Sequence, residues 1–422
     1  MILIGIFFYI ISLIFGVSLL AFFLDKLIEN IIVKYAFSVS VGFVFATFIV
    51  VVMNALFQGY NNLFVVFSSL IMLGFSVLIF LNKPYLKYDM FNIKLLVKQL
   101  KKDKLYYFLL FVLIFVLIVL QIFGVHSNNN GIVGGDNYGT DFLFHISIGN
   151  SLVYSGWPPK LLYANYSPNV FPFISDFYMS ILIFNGINPV IALYMMNLLL
   201  YFSIAVSLAY FISIIIKNKV AAVFGVILFL FCSVGANMIL IYIFHINLPY
   251  FSYSIIQNMG NNPIGIITFP LMNFADPLEN NFAPQHDYVF AFPLIIMIIT
   301  VLYIKFLKSD KENKVNTIDK PLLFIAVIIG LLPLTHPFSL VFVFIFVIVA
   351  MIYSIFKQQK GKYKIKRFLK IWLPFGIVVM LIALPQLVFI HMGSKVIFQR
   401  ICKVHKWKCY NTYWIIAHVL YY

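Results

Sequence analysis

VFPFISDFYMSILIFNGIN, Val170 to Asn188, is the stretch whose reading decides how this chain is threaded. A membrane-spanning helix needs about 20 consecutive, mainly apolar residues. The apolar part here is shorter, and Asp176 lies inside it. A charge at the centre of a spanning helix costs about 2.5 to 3.5 kcal/mol on insertion scales. The stretch is therefore expected to form an interfacial or re-entrant helix rather than a crossing. If it crossed, Lys217 and Lys219 would move to the face opposite the other basic loops.

Outward from this stretch the apolar runs lengthen. Hydrophobic residues make up 63% of the 422 and charged residues 10%, the composition of a polytopic membrane protein. Lipid offers no partner to a backbone amide, so only helices and closed barrels span it. Long unbroken runs lack the short alternating strands of a barrel. The expected fold class is all-α, a polytopic transmembrane helical bundle of about ten spans. These are residues 2–24, 36–56, 63–82, 105–124, 189–216, 220–243, 288–307, 321–335, 338–356 and 371–391. The first has no basic residue before it and no small-residue cleavage site, so it reads as a retained helix rather than a signal peptide.

The net charge of +16 argues against nucleic acid as a partner once its placement is read. Loops 25–35, 83–104, 217–219, 305–320 and 357–370 hold 23 of the 29 lysines and arginines. Short loops so enriched stay cytoplasmic, which puts both termini outside a multi-pass protein of the cell membrane. Three regions follow: an N-terminal three-helix membrane segment (1–104), a membrane core (105–391) and a basic tail (392–422) that reads equally as a phosphate-holding element, as the sign of a miscounted last span or as a truncated end. The core carries outer loops at 125–188 and 244–287. Together these loops hold six of the thirteen acidic residues against one base, Lys160. The second loop, punctuated by Pro and Gly, is expected to fold over the first. Cys232, Cys402 and Cys409 have neither the spacing of a zinc site nor that of a disulfide framework.

Candidate chemistry lies in GGDNYGTDFLFHISIGNSLVYSGWPP, Gly134 to Pro159. Thr140 can cap a helix beginning at Asp141, and Gly156 with the Pro158–Pro159 pair can end it. Asp141 and His145, four apart, share a face of that helix, with Asp136 one short loop upstream. A carboxylate placed there can accept a proton from an acceptor hydroxyl, an assistance worth roughly a hundred- to ten-thousand-fold. The plainer role for Asp141 is to complement the helix dipole in the first turn. His286 and Asp287, where the second loop re-enters the membrane, and His336 in a THPFS turn lie on the same face. With Asp136 they could hold a divalent cation such as Mn²⁺ or Zn²⁺, although a His beside a Pro in a tight turn is more often bonded locally. Tyr154, Trp157, Tyr163 and Tyr166 suit membrane-depth anchoring, with Tyr166, in YSPN, the one best placed to meet a substrate.

The sequence here resembles the GT-C superfamily of membrane glycosyltransferases. The resemblance rests on the aspartate of TDFLFH just outside a membrane helix, an amphipathic helix ending in GWPP, YSPNVFPFISDFYMSILIFNGINP, and a long membrane helix ending at Lys217 and Lys219. It covers about residues 105–245. It implies an inverting transfer of a sugar from a polyprenyl-phosphate carrier to a glycan, lipid or protein acceptor on the extracytoplasmic face. Asp141 is then the catalytic base, with Asp136 the alternative. His145, Lys160, Tyr166, His286, Asp287 and His336 become candidate substrate-binding residues. The motif follows the fourth membrane helix here, where the family usually has it after the first. Rival functions are a transporter or flippase, or a polymerase, handling lipid-linked glycans.

Overall fold

The computed structural model of the chain describes residues 1–83, 92–128, 131–134, 145–151, 153–154, 160–161, 167–168, 173–231, 286–308, 319–357 and 363–405. Three long helices come first, α1 (Ile2–Leu24), α2 (Ile31–Phe57) and α3 (Asn62–Asn82). A short amphipathic helix, α4 (Ile93–Lys102), leads into α5 (Lys104–Gly124). Next come α6 (Ile174–Phe184), α7 (Pro189–Ile216) and α8 (Lys219–Phe231). The C-terminal part has α9 (His286–Leu302), extended by a π-helical stretch Tyr303–Lys308, then α10 (Lys320–Thr335), α11 (Pro337–Lys357) and α12 (Tyr363–His405). Among the described residues, eight helices are long and apolar enough to cross a membrane. They correspond to eight of the ten expected spans. The other two, 220–243 and 321–335, correspond to the shorter apolar helices α8 and α10, and residues 232–243 lie outside the described set.

Asparagines begin several of these helices. The Asn30 side chain accepts from the amides of Ile32 and Val33, Asn61 from Leu63, Asn92 from Leu95, and Asn188 from Val190 and Ile191. Each satisfies donors that the first turn leaves without an intrahelical partner. Pro189 follows Asn188 at a position where its missing N–H costs nothing.

Packing between the helices relies on small residues. Lipid tails are as apolar as leucine, so helices associate through close contact and internal hydrogen bonds. Gly16 of α1 lies against Gly42 of α2, where an added Cβ would overlap the Ser38 carbonyl and come within 2.8 Å of the Gly42 amide. On α10, Pro333 lacks an N–H and its ring crowds the turn below. There Gln386 of α12 donates to the Gly330 carbonyl at 2.7 Å and accepts from the Leu334 amide at 3.2 Å. One buried side-chain amide thus bonds a carbonyl and an amide on either side of Pro333. Large apolar side chains such as Phe111, Val341 and Leu381 face outward, as on a lipid-facing surface.

The two ends of the bundle differ in charge. Ion pairs Lys34–Asp25 (2.5 Å), Lys219–Asp103 and Lys305–Asp319 all lie at the end where α1 finishes and α2 starts. Lys83 and Lys320 also sit over the Phe22 ring there, 4.3 and 4.9 Å from its centre. This is the lysine-rich end. At the far end lies α6, which both begins and finishes there. The Phe173 amide bonds to the Leu334 carbonyl near the C-terminus of α10, at 3.0 Å. Asn185 and Gly186, just past its other end, meet Gly5 and Ile2 at the start of α1. Residues 174–182 are all buried, so α6 is enclosed by the bundle rather than laid flat on its surface.

Two short antiparallel pairings within 125–188 have no counterpart in the sequence reading, which expects an outer loop with helices but no strands there. β1 (Val125–Asn128) pairs with β2 (Gly131–Gly134), and β3 (Lys160–Leu161) with β4 (Ser167–Pro168). Both are local hairpins, and the all-α bundle is unchanged by them.

Candidate functional site

The far end is organised around a buried acid and a buried histidine. Residues 145–151 are helical, and His145 faces α6, where its Nδ1 lies 2.8 Å from Asp176 Oδ1. His145 is 7% exposed and Asp176 is fully enclosed. The fit depends on Gly149, one turn after His145. A Cβ at Gly149 would overlap Ser180 Oγ and come within 2.6 Å of the Asp176 carbonyl oxygen. His145 and Gly149 on one helix therefore meet Asp176 and Ser180 on the other, each pair four residues apart and on one face. The missing side chain lets the backbones approach closely enough for imidazole and carboxylate to bond.

Buried charge needs such a partner. Removing a carboxylate from water is strongly unfavourable unless an opposite charge and hydrogen bonds replace the solvent. The pair can hold a proton on the imidazole with the carboxylate beside it, or keep a neutral imidazole oriented by its Nδ1 bond. Either way the orientation of the 145–151 helix is set by Asp176.

Other positions of α6 make aromatic contacts. Tyr178 on α6 shares a hydrogen bond of 2.9 Å with Ser12 and packs on Phe43 and Phe290. Tyr60, between α2 and α3, stands edge-on to Phe177 and Phe184. Burial holds its phenol above the ordinary range, opposed in part by the neighbouring Asn185 side chain.

His336 also lies at this end, in the turn between α10 and α11. Its Nδ1 accepts from the Ser339 amide at 3.2 Å and lies 2.6 Å from Ser339 Oγ. An acceptor Nδ1 places the proton of a neutral ring on Nε2. Tyr288 of α9 meets this ring edge to face at 5.1 Å. The Phe173–Leu334 bond ties the start of α6 to the same turn, so His145, Asp176 and His336 share one end of the bundle.

Lys160 opens β3 and is exposed; its partner strand β4 packs against α12. His286 and Asp287 form the first turn of α9, and their side chains lie outside the described set. Asp136, Asp141, Tyr166 and the greater part of loop 244–287 also lie outside the described residues. Tyr154 is 67% exposed and stands edge-on to Phe184. Among the described residues no group of three or more His, Cys, Asp or Glu could hold a metal ion.

Asp176 is the site residue that sequence reasoning passed over. It entered the reading only as a cost against crossing the membrane. The signal was present, because an ionisable residue inside an apolar run marks a functional site unless a partner explains it.

A cleft of about 230 Å³ lies between α5 and α7. It is lined mainly by apolar residues, among them Ile118, Ile122, Ile191 and Leu198. At its floor Gln121 accepts from Asn197 at 3.1 Å and from the Tyr201 hydroxyl at 2.5 Å.

Fold and site together define a helical membrane protein with an ionisable pair enclosed at one end. No protein-family model, curated protein or solved structure matches the chain.

Proposed function

We propose that the chain is an integral membrane glycosyltransferase that moves a sugar from a polyprenyl-phosphate carrier to an acceptor on the extracytoplasmic face. The observation that carries this reading is the His145–Asp176 pair, buried at the end of the bundle opposite the lysine-rich end. Short basic loops stay cytoplasmic, so the pair belongs to the outer end. In the sequence Asp141 precedes His145 by four residues, the spacing of one helix face. In this reading Asp176, by holding His145, serves as a positioning residue for the segment that carries the base.

In the proposed reaction Asp141 takes the proton of an acceptor hydroxyl. The acceptor oxygen bonds to the anomeric carbon while the bond from that carbon to the phosphate oxygen breaks, leaving polyprenyl phosphate. Positioning supplies much of the rate, because reactants held at near-attack distance no longer need to meet by diffusion. The sideways cleft between α5 and α7 suits an isoprenoid chain approaching from lipid.

A second reading is favoured by the same buried pair. Ionisable residues enclosed among membrane helices also mark transport pathways, and helices that enter and leave on one side recur in transporters. One assay separates the two. Protein reconstituted in vesicles is given a panel of polyprenyl-phosphate hexoses with host membrane lipids as acceptors. Formation of a new glycosidic bond with release of polyprenyl phosphate supports transfer. Movement of intact donor between leaflets with no new bond supports transport and rejects the enzyme.

A further inference from the structure

The lysine-rich end carries an open cavity of about 1110 Å³ that the proposed chemistry does not use. Four lysines line it, and each comes from a different element: Lys102 ends α4, Lys217 caps α7, Lys219 opens α8, and Lys308 closes the π-helical stretch. Two acids, Glu29 and Asp103, share the lining, and Asp103 is already paired with Lys219. Among the described residues that leaves Lys102, Lys217 and Lys308 against Glu29, a cationic wall. The phenols of Tyr106, Tyr107 and Tyr210 contribute to the same wall. Asn30 donates to the Tyr107 hydroxyl at 2.9 Å, which leaves the phenolic proton available for another acceptor.

Ammonium groups gathered from four elements attract an anion placed among them. Lysine ammonium groups bind phosphate through short charge-assisted hydrogen bonds, and phenol donors can complete the shell. The cavity lies at the level of helix termini, the depth at which a bilayer carries its headgroups, and basic pockets between membrane helices on the cytoplasmic side suit phosphate-bearing headgroups. We propose that this cavity is a binding site for a phosphate-bearing anion, supplied by an anionic lipid headgroup or by a soluble phosphate compound. The proposal concerns the end of the bundle away from His145 and Asp176 and stands apart from the glycosyltransferase reading.

The test uses the full chain in lipid nanodiscs, with apparent melting temperature as the readout. Discs of phosphatidylcholine alone are compared with discs containing phosphatidylglycerol, and the phosphatidylcholine discs are also titrated with inorganic pyrophosphate. Stabilisation by phosphatidylglycerol identifies a lipid source, and stabilisation by pyrophosphate a soluble one. The double variant Lys217→Gln/Lys308→Gln should need about thirtyfold more anion for the same effect. Lys94→Gln/Lys98→Gln, which removes two α4 charges outside the cavity, should respond as the wild type does. Should the cavity double variant fail to accumulate, each single substitution is measured instead, with about a fivefold loss expected. A wild type indifferent to both anions, a cavity variant that keeps the full response, or an equal loss in both variant pairs overturns the proposal.

Discussion

Breaking the His145–Asp176 pair from either side should destabilise the protein, and removing both partners together should not. The two side chains meet at 2.8 Å, with 9% of the histidine side chain and none of the aspartate side chain exposed. Asp176→Leu takes the carboxylate away from the His145 imidazole, and His145→Leu takes the imidazole away from the Asp176 carboxylate. Taking one partner from a buried pair costs about 3 to 5 kcal/mol, because the group left behind is desolvated without compensation. In the double variant both polar groups go, and apolar replacements of such pairs are often close to neutral. It should therefore lie within about 1 kcal/mol of wild type, a coupling far above the few tenths expected of independent sites. The assay is unfolding in mixed detergent micelles, followed by tryptophan fluorescence, for wild type, both single variants and the double. Single variants as stable as wild type, or a double variant whose loss equals the sum of the two single losses, would refute the reasoning.

Three other outcomes follow from close contacts in the bundle. Gly149→Ala forces a methyl into Ser180 Oγ and toward the Asp176 carbonyl; it should cost about 1 to 3 kcal/mol by overpacking, and Ser180→Ala added to it should recover part of that loss in the same unfolding assay. Gly16→Val places its side chain against backbone atoms of Ser38 and Gly42, which cannot rotate away, so thermal unfolding should show a larger loss than for Gly74→Val, where the space beyond the glycine is open. Gln386→Leu strips the Gly330 carbonyl and the Leu334 amide of a shared partner; at about 1 to 3 kcal/mol for each buried group left unsatisfied, hydrogen exchange at Leu334 should quicken markedly, and unchanged exchange there would contradict the role given to Gln386.

The membrane helices were legible because the bilayer imposes their length. Apolar runs of 18 residues or more have one structural outcome in lipid, and the expected spans track the long helices from α1 to α12. The status of 170–188 was legible in part. One misplaced charge sufficed to argue against a crossing, and α6 does begin and end at the same end of the bundle. Its enclosure by the bundle was not legible, nor was the partner of Asp176. His145 is 31 residues away in sequence, and no periodic pattern reports a contact between two separate helices. Gly149 was equally silent, since a glycine that admits a neighbouring backbone looks like any other glycine until the neighbour is known. The β1–β2 hairpin had a signal in the asparagines leading to Gly131, a turn composition. The capping roles of Asn30, Asn61, Asn92 and Asn188 were not legible, because asparagine suits loops and helix starts alike. Asp136 and Asp141, on which the sequence reading places catalysis, lie outside the described residues.

The most direct test of the proposed activity is release of polyprenyl phosphate from a polyprenyl-phosphate hexose by reconstituted protein, measured for wild type and for Asp141→Asn. The account predicts that wild type releases it with formation of a glycosidic bond, and that Asp141→Asn, inserted and accumulated at wild-type level, loses at least about a hundredfold in rate. Full activity in Asp141→Asn would contradict it.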